Sequence, residues 1–226
     1  MKILAIGDAC GSLGCEAVRK WLPTLKKEKR IDFTVINGEN SADGNGITRE
    51  SAEMLFACGA DVITGGNHSM RRKSAFSLLD ENDCVLRPAN LEGEAAGKGY
   101  CLADLGYTSV AVINLLGRIY LERVAASNPF IAADELIQKA RADGAEIIIV
   151  DFHAEATSEK RALGFYLDGK ISALFGTHTH VQTADESASS AHVDSGHTKG
   201  NQSQTIGPAY PFTAVAKHGH DLIPAQ

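Results

Sequence analysis

The stretch Glu146-Ile-Ile-Ile-Val-Asp-Phe152, followed directly by His153, decides the fold. Ile147 to Val150 show no alternation of apolar and polar side chains, the pattern of a strand covered on both faces. Leu4–Ile6 reads the same way. Working outward, short β-rich runs are each followed by a helical pattern. The spacing predicts strands over Lys2–Ile6, Phe33–Asn37, Asp61–Thr64, Ser109–Asn114, Glu146–Phe152 and Ser172–Phe175. It predicts helices over Leu13–Lys29, Thr48–Cys58, Arg71–Asn82, Ala132–Ala142 and Thr157–Leu163. Such alternation points to an α/β fold whose mostly parallel or mixed sheet is covered on both faces.

Two segments depart from the rhythm. Arg87–Gly106 is rich in Gly, carries Pro88, and reads as loop plus a short strand capping the site. From Glu186 to Gln226 the periodicity disappears, and only Phe212–Ala216 has strand character. The expected organisation is therefore a domain over residues 1–185 and a poorly ordered tail over 186–226.

The 226 residues suit one α/β domain. Net charge is −6, which argues against a broad grip on nucleic acid. It permits a small phosphate ester at a cation site. The five cysteines (Cys10, Cys15, Cys58, Cys84, Cys101) form no CxxC pair and read as reduced thiols. No apolar run is long enough for a membrane span, and Ile3–Ile6 is too short for a signal-peptide core. A cytoplasmic location is the default expectation.

Ligands of such sheets gather at the carboxyl ends of strands. Asp8, Glu39 and Asn40, Asn67 and His68, His153, and His178 with His180 each follow an expected strand. Singly, each is weak: an Asp after a strand is more often a cap, a His more often a satisfied structural group. In extended backbone His178 and His180 point the same way, so both rings can reach one centre. Convergence of five strand ends on one rim favours a metal site. Carboxylate, amide oxygen and imidazole without thiolate suit Fe, Mn, Zn or Mg. Glu39 is the natural bridge, because its carboxylate offers one oxygen to each of two cations. Cations about 3.5–4 Å apart can hold a hydroxide and clamp phosphoryl oxygens. His68 is the candidate general acid, with a ligand or loop-stabilising role as the alternative. Cys10 reads as a small apolar filler.

Gly7-Asp8, Asn37-Gly-Glu-Asn40, Gly66-Asn67-His68 and Gly176-Thr-His-Thr-His180 resemble motifs of the calcineurin-like metallophosphoesterase superfamily. Ile36-Asn-Gly-Glu-Asn40, Arg87-Pro-Ala-Asn90, Val112-Ile-Asn-Leu-Leu-Gly-Arg118, Asp151-Phe-His-Ala-Glu-Ala-Thr-Ser-Glu-Lys160 and Gly176 to Asp185 resemble the narrower YmdB-like family. The resemblance implies a layered sandwich of mixed β-sheet with flanking helices and 2′,3′-cyclic-nucleotide 2′-phosphodiesterase activity. It implies one metal held by Asp8, Glu39 and His180 and another by Glu39, Asn40, Asn67, His153 and His178. It implies His68 as the proton donor. Iron is the first choice of metal, with manganese, magnesium or zinc as substitutes. The implied partners are a small phosphodiester substrate and further copies of the chain in a homo-oligomer. A large nucleic-acid surface and a membrane are not among them. Cys10, Ser69-Met70-Arg71 and everything after Asp185 depart from the family's pattern. The altered ending keeps a second reading open, a catalytically impaired metal- or nucleotide-binding protein. A metal amidohydrolase ranks lower, because there the His-x-His pair follows the first strand.

Overall fold

Apolar strands with no polar face need cover on two sides, and this chain supplies it with helices outside and a second sheet inside. A computed structural model describes residues 1–181 and the backbone of residues 213–217. In chain order the elements are β1 (Lys2–Ile6), α1 (Gly11–Lys29), β2 (Phe33–Asn37), α2 (Arg49–Ala57) and β3 (Val62–Thr64). A 3-10 turn at Lys73–Ala75 then leads into α3 (Phe76–Glu81), β4 (Tyr100–Asp104) and β5 (Ser109–Leu116). Next come α4 (Pro129–Ala142), β6 (Ile147–Ala154), α5 (Thr157–Tyr166), β7 (Ala173–His178) and β8 (Thr213–Lys217).

The strands form two four-stranded sheets, ordered β3-β2-β1-β8 and β4-β5-β6-β7. β1, β2 and β3 run parallel, as do β5, β6 and β7; β8 and β4 add antiparallel edges to β1 and β5. The layered sandwich of mixed sheet and flanking helices is thus present.

Alternation along each strand sorts side chains into three layers. Between the sheets lie Phe33, Val35, Val62, Val110, Val112, Ile147, Ile149 and Phe175. Outside the first sheet, Leu4, Ile6, Ile36 and Ile63 meet Val18, Leu22, Ala52 and Leu55 of the helices. Outside the second, Ile113, Ile148 and Val150 meet Ala133, Ile137 and Leu163. One residue pair further along, the inward positions turn polar: Asn37, Thr64, Asn114, Asp151 and Thr177 are all buried. The core therefore ends in a polar layer at the carboxyl ends of five strands, drawn from two sheets rather than one rim.

The strands outrun their expected limits. β5 reaches Leu116, β6 reaches Ala154 and β7 reaches His178. Ladder partners hold these ends: Leu116 faces His153, His153 faces Thr177 and Ala154 faces His178. His153 and His178 therefore lie within strands rather than after them. The helix expected over Arg71–Asn82 is shorter because Arg72 is extended, with its guanidinium bound to the Asn45 and Ala42 carbonyls. α2 starts on a capping box formed by Thr48 and Ser51.

The short strand expected within Arg87–Gly106 is β4, an outer edge. The loop before it is tied down by Asn90, whose amide bonds Leu116 and Ser127. The strand expected at Phe212–Ala216 appears as β8, with Lys217 opposite Lys2. The remaining residues of the expected tail, 186–212 and 218–226, lie outside the described residues. Among the described residues no helix is long and apolar enough to cross a membrane.

Phe33 is almost fully buried between the sheets. Phe33→Ala is expected to lower the unfolding free energy by roughly 3–5 kcal/mol, read from the urea unfolding midpoint.

Candidate metal centre

The polar layer is organised around Asp151. Its Oδ2 accepts from Thr64 Oγ1 and from Asn37 Nδ2 (2.9 Å), and its Oδ1 accepts from Thr177 Oγ1 (2.7 Å). Burial pushes its pKa up to about 6, against the Thr64 bond, the nearby His153 and the remaining hydrogen bonds. Asn37 also donates to the Gly65 carbonyl, and the Gly65 N–H donates to Asn114 Oδ1 (3.0 Å). Both sheets are thus pinned beneath the loops that follow β1, β2 and β3.

Above this layer the expected site residues form one contiguous cluster. Glu39 is buried; its Oε2 accepts the His68 backbone N–H (2.9 Å), and its Oε1 lies 2.9 Å from Asn40 Nδ2 and 3.3 Å from His153 Nε2. Asp8 Oδ2 accepts the His178 backbone N–H (3.0 Å), and its Oδ1 lies 3.3 Å from both Asn40 Nδ2 and His180 Nε2. His153 Nε2 is 2.8 Å from Asn67 Oδ1 and 3.1 Å from His178 Nδ1. His68 Nδ1 sits 2.7 Å from Asn40 Oδ1. Asn40 therefore spends its amide hydrogens on the two carboxylates and its oxygen on His68. Glu39, His153 and His178 each bring one ligand atom within 4.8 Å of the others.

The electrostatics match this geometry. Burial would raise the Asp8 and Glu39 pKa values, but His180 and His153 hold the first, and His153 the second, below the usual carboxylate range. Burial would lower that of His153, yet Glu39 foremost, with Asp8 and Asp151, raises it to about 9. Burial and the neighbouring His153 lower that of His178. Burial, then the charges of Asp8 and Glu39, push the Cys10 thiol up, which keeps it protonated beside the cluster.

These donors fit a cation. Asn67 Oδ1, His178 Nδ1 and Glu39 Oε1 crowd one nitrogen, His153 Nε2. A single N–H cannot satisfy three such neighbours, whereas a divalent ion among them can. A Cβ on Gly66 would fall 2.2 Å from Glu39 Oε2 and 2.5 Å from His153 Nε2, so only glycine leaves this space open.

The histidine pair differs from expectation. His178 and His180 have φ of 94° and 53°, left-handed values that non-glycine residues rarely adopt. The backbone is thus not extended, and the rings part company: His178 turns to His153 and Glu155, His180 to Asp8. Sequence reasoning also missed the supporting residues. Asp151 was signalled as the lone charge inside an apolar strand. Thr177 was signalled by sharing a strand face with Phe175. Buried Lys160 lies 3.4 Å from Thr179 Oγ1, and burial pulls its pKa down to about 8 despite Asp151, Asp8 and Glu155; its position on α5 gave no signal.

Comparison with known proteins follows the same line. YmdB-like proteins match residues 4–209. A 2′,3′-cyclic-nucleotide 2′-phosphodiesterase of Bacillus subtilis (strain 168) is 48% identical over 185 residues, covering 82% of this chain and 69% of that protein. A solved structure of a hypothetical protein from Thermus thermophilus is 36% identical with a TM-score of 0.78, covering 92% of this chain and 75% of that one. A novel phosphatase of Mycoplasma pneumoniae is 33% identical, also at a TM-score of 0.78, covering 84% of this chain and 68% of that one. With a fold of this class, a buried cluster of carboxylate, amide and imidazole donors, and a match over most of its length, the chain belongs to the YmdB-like family.

Proposed function

We propose that the chain is a dinuclear metal-dependent phosphodiesterase that hydrolyses 2′,3′-cyclic nucleotides. The observation that carries this reading is the crowding of Asn67, His178 and Glu39 around His153 Nε2, with Asn40 linking Glu39 to Asp8 and Asp8 in turn meeting His180. The relative from Bacillus subtilis supports the substrate class.

In this reading Asp8, Glu39 and His180 hold one ion, and Glu39, Asn40, Asn67, His153 and His178 hold the other. The ions, iron first and manganese, magnesium or zinc as substitutes, would supply Lewis-acid charge for the phosphoryl oxygens and make water nucleophilic near neutral pH. The chain's own groups do the rest. The water gives up one proton to solvent, its oxygen bonds to phosphorus, and the P–O2′ bond breaks. His68 protonates the departing 2′ oxygen, leaving the 3′-phosphate. The His68 Nδ1–H is directed at Asn40 Oδ1, which leaves Nε2 as the atom that carries the transferable proton. Its ring is partly exposed, so substrate can reach it.

In His68→Ala, turnover of 2′,3′-cyclic AMP is expected to fall roughly 10²–10⁴-fold while metal content stays at the wild-type level. Full turnover in that variant would remove His68 from its role. Metal loaded stably without turnover of any phosphodiester by the wild-type chain would favour a binding protein instead. Chelation should abolish activity, with manganese or ferrous iron restoring it. Gly66→Ala should drive the added methyl into Glu39 and His153. Its elemental analysis is expected to show lost metal while far-UV circular dichroism is retained.

A further inference from the structure

The two imidazoles at the centre of the cluster are held from behind by different groups, and those groups fix which nitrogen each ring can present. His153 Nδ1 lies 2.9 Å from Thr177 Oγ1. The Thr177 hydroxyl has one hydrogen, and Asp151 Oδ1 takes it at 2.7 Å. Its oxygen is therefore an acceptor toward the ring, as it also is toward Asn37 Nδ2 (3.3 Å). When His153 gives up its second proton to bind a metal ion, the remaining proton therefore sits on Nδ1, and Nε2 is the ligating nitrogen.

His178 is oriented the opposite way. Its Nε2 lies 3.0 Å from Glu155 Oε2, and an ionised carboxylate can only accept, so the proton sits on Nε2 and Nδ1 is bare. That bare nitrogen faces His153 Nε2 at 3.1 Å. Two lone pairs so close repel each other unless a proton on His153 Nε2 or a metal ion in its place lies between them.

We propose that Glu155 and the Thr177–Asp151 pair are positioning groups that lock His178 and His153 into opposite tautomers, so that Nδ1 of one and Nε2 of the other face a single cation. This rests on the metal-centre reading above. It adds residues that touch neither cation nor substrate, and it explains why His178 tolerates a left-handed backbone: the Glu155 bond and the Asp8 bond to its N–H hold the ring there. Carboxylate and hydroxyl partners of metal-bound imidazoles typically contribute ten- to a hundredfold in affinity, about 1.4–2.7 kcal/mol.

The test uses the full chain with Zn²⁺, a diamagnetic probe, and Glu155→Gln, Thr177→Val and Thr177→Ser. The Glu155 side chain is nearly half exposed, so its replacement should leave folding intact even if Thr177→Val does not fold. Imidazole ¹⁵N spectra of the zinc-loaded wild type should show His153 coordinating through Nε2 and His178 through Nδ1. In the metal-free chain His178 should carry its proton on Nε2, and that preference should be lost in Glu155→Gln. Zn²⁺ affinity should fall roughly ten- to a hundredfold in Glu155→Gln and Thr177→Val and stay near wild type in Thr177→Ser. Coordination of both rings through the same nitrogen, or unchanged affinity in Glu155→Gln, would overturn the inference. A wild-type chain that takes up no Zn²⁺ would sink the proposed function instead. The tautomer of metal-free His178 and its response to Glu155→Gln would then still decide this inference.

Discussion

A carboxylate cut off from water holds the molecule's working end together. Asp151 lies where the two sheets meet, and leaving such a charge without partners would cost several kcal/mol. Thr64 of β3 and Asn37 of β2 reach it from one sheet, Thr177 of β7 from the other. Hydrogen bonds to a charged acceptor contribute about 1.5–3 kcal/mol each and offset part of its desolvation, the remainder showing as the raised pKa. The same bonds dictate spacing. The strands can approach only as closely as these side chains allow, and the residues that follow each strand inherit that spacing. Glu39, Asn67, His153 and His178 converge because the layer beneath them is already fixed.

Support passes upward from this layer by simple chemistry. The Thr177 hydroxyl cannot give its hydrogen twice, so binding Asp151 makes it an acceptor for His153. Asn40 divides its amide between two carboxylates and one imidazole, which couples Asp8, Glu39 and His68 through one side chain. Gly66 contributes by having no side chain, since any Cβ there would enter the space between Glu39 and His153. Few groups in the cluster have only one partner, so small displacements cannot be absorbed locally.

Much of this was legible in the sequence. The unbroken apolar run Ile147–Val150 announced a strand covered on both faces, and the polar residues at successive strand ends announced a cluster at that edge. The alternation that carries Ile147 and Ile149 inward also carries Asp151 and His153 inward, so the polar layer was written there too. Other features depend on contacts that no local pattern encodes. That the strands divide between two sheets follows from how Val35 and Val112 pack across the interior, not from either strand alone. Arg72 breaks its helix because of carbonyls almost thirty residues earlier in the chain. His178 and His180 leave extended geometry because Asp8 and Glu155 draw them apart, and both partners are distant from them in sequence or on another element.

The pairing of β8 with β1 has a consequence for how the molecule is made. β1 carries Asp8 just beyond its end, yet among the described residues one side of its ladder is filled only by 213–217. Contacts so far apart along the chain form slowly, and a bare strand edge invites association with other chains. A nascent polypeptide therefore leaves that edge of β1 bare until residues 213–217 have emerged from the ribosome. Chaperone protection during synthesis would matter most for that edge, long before any substrate is met.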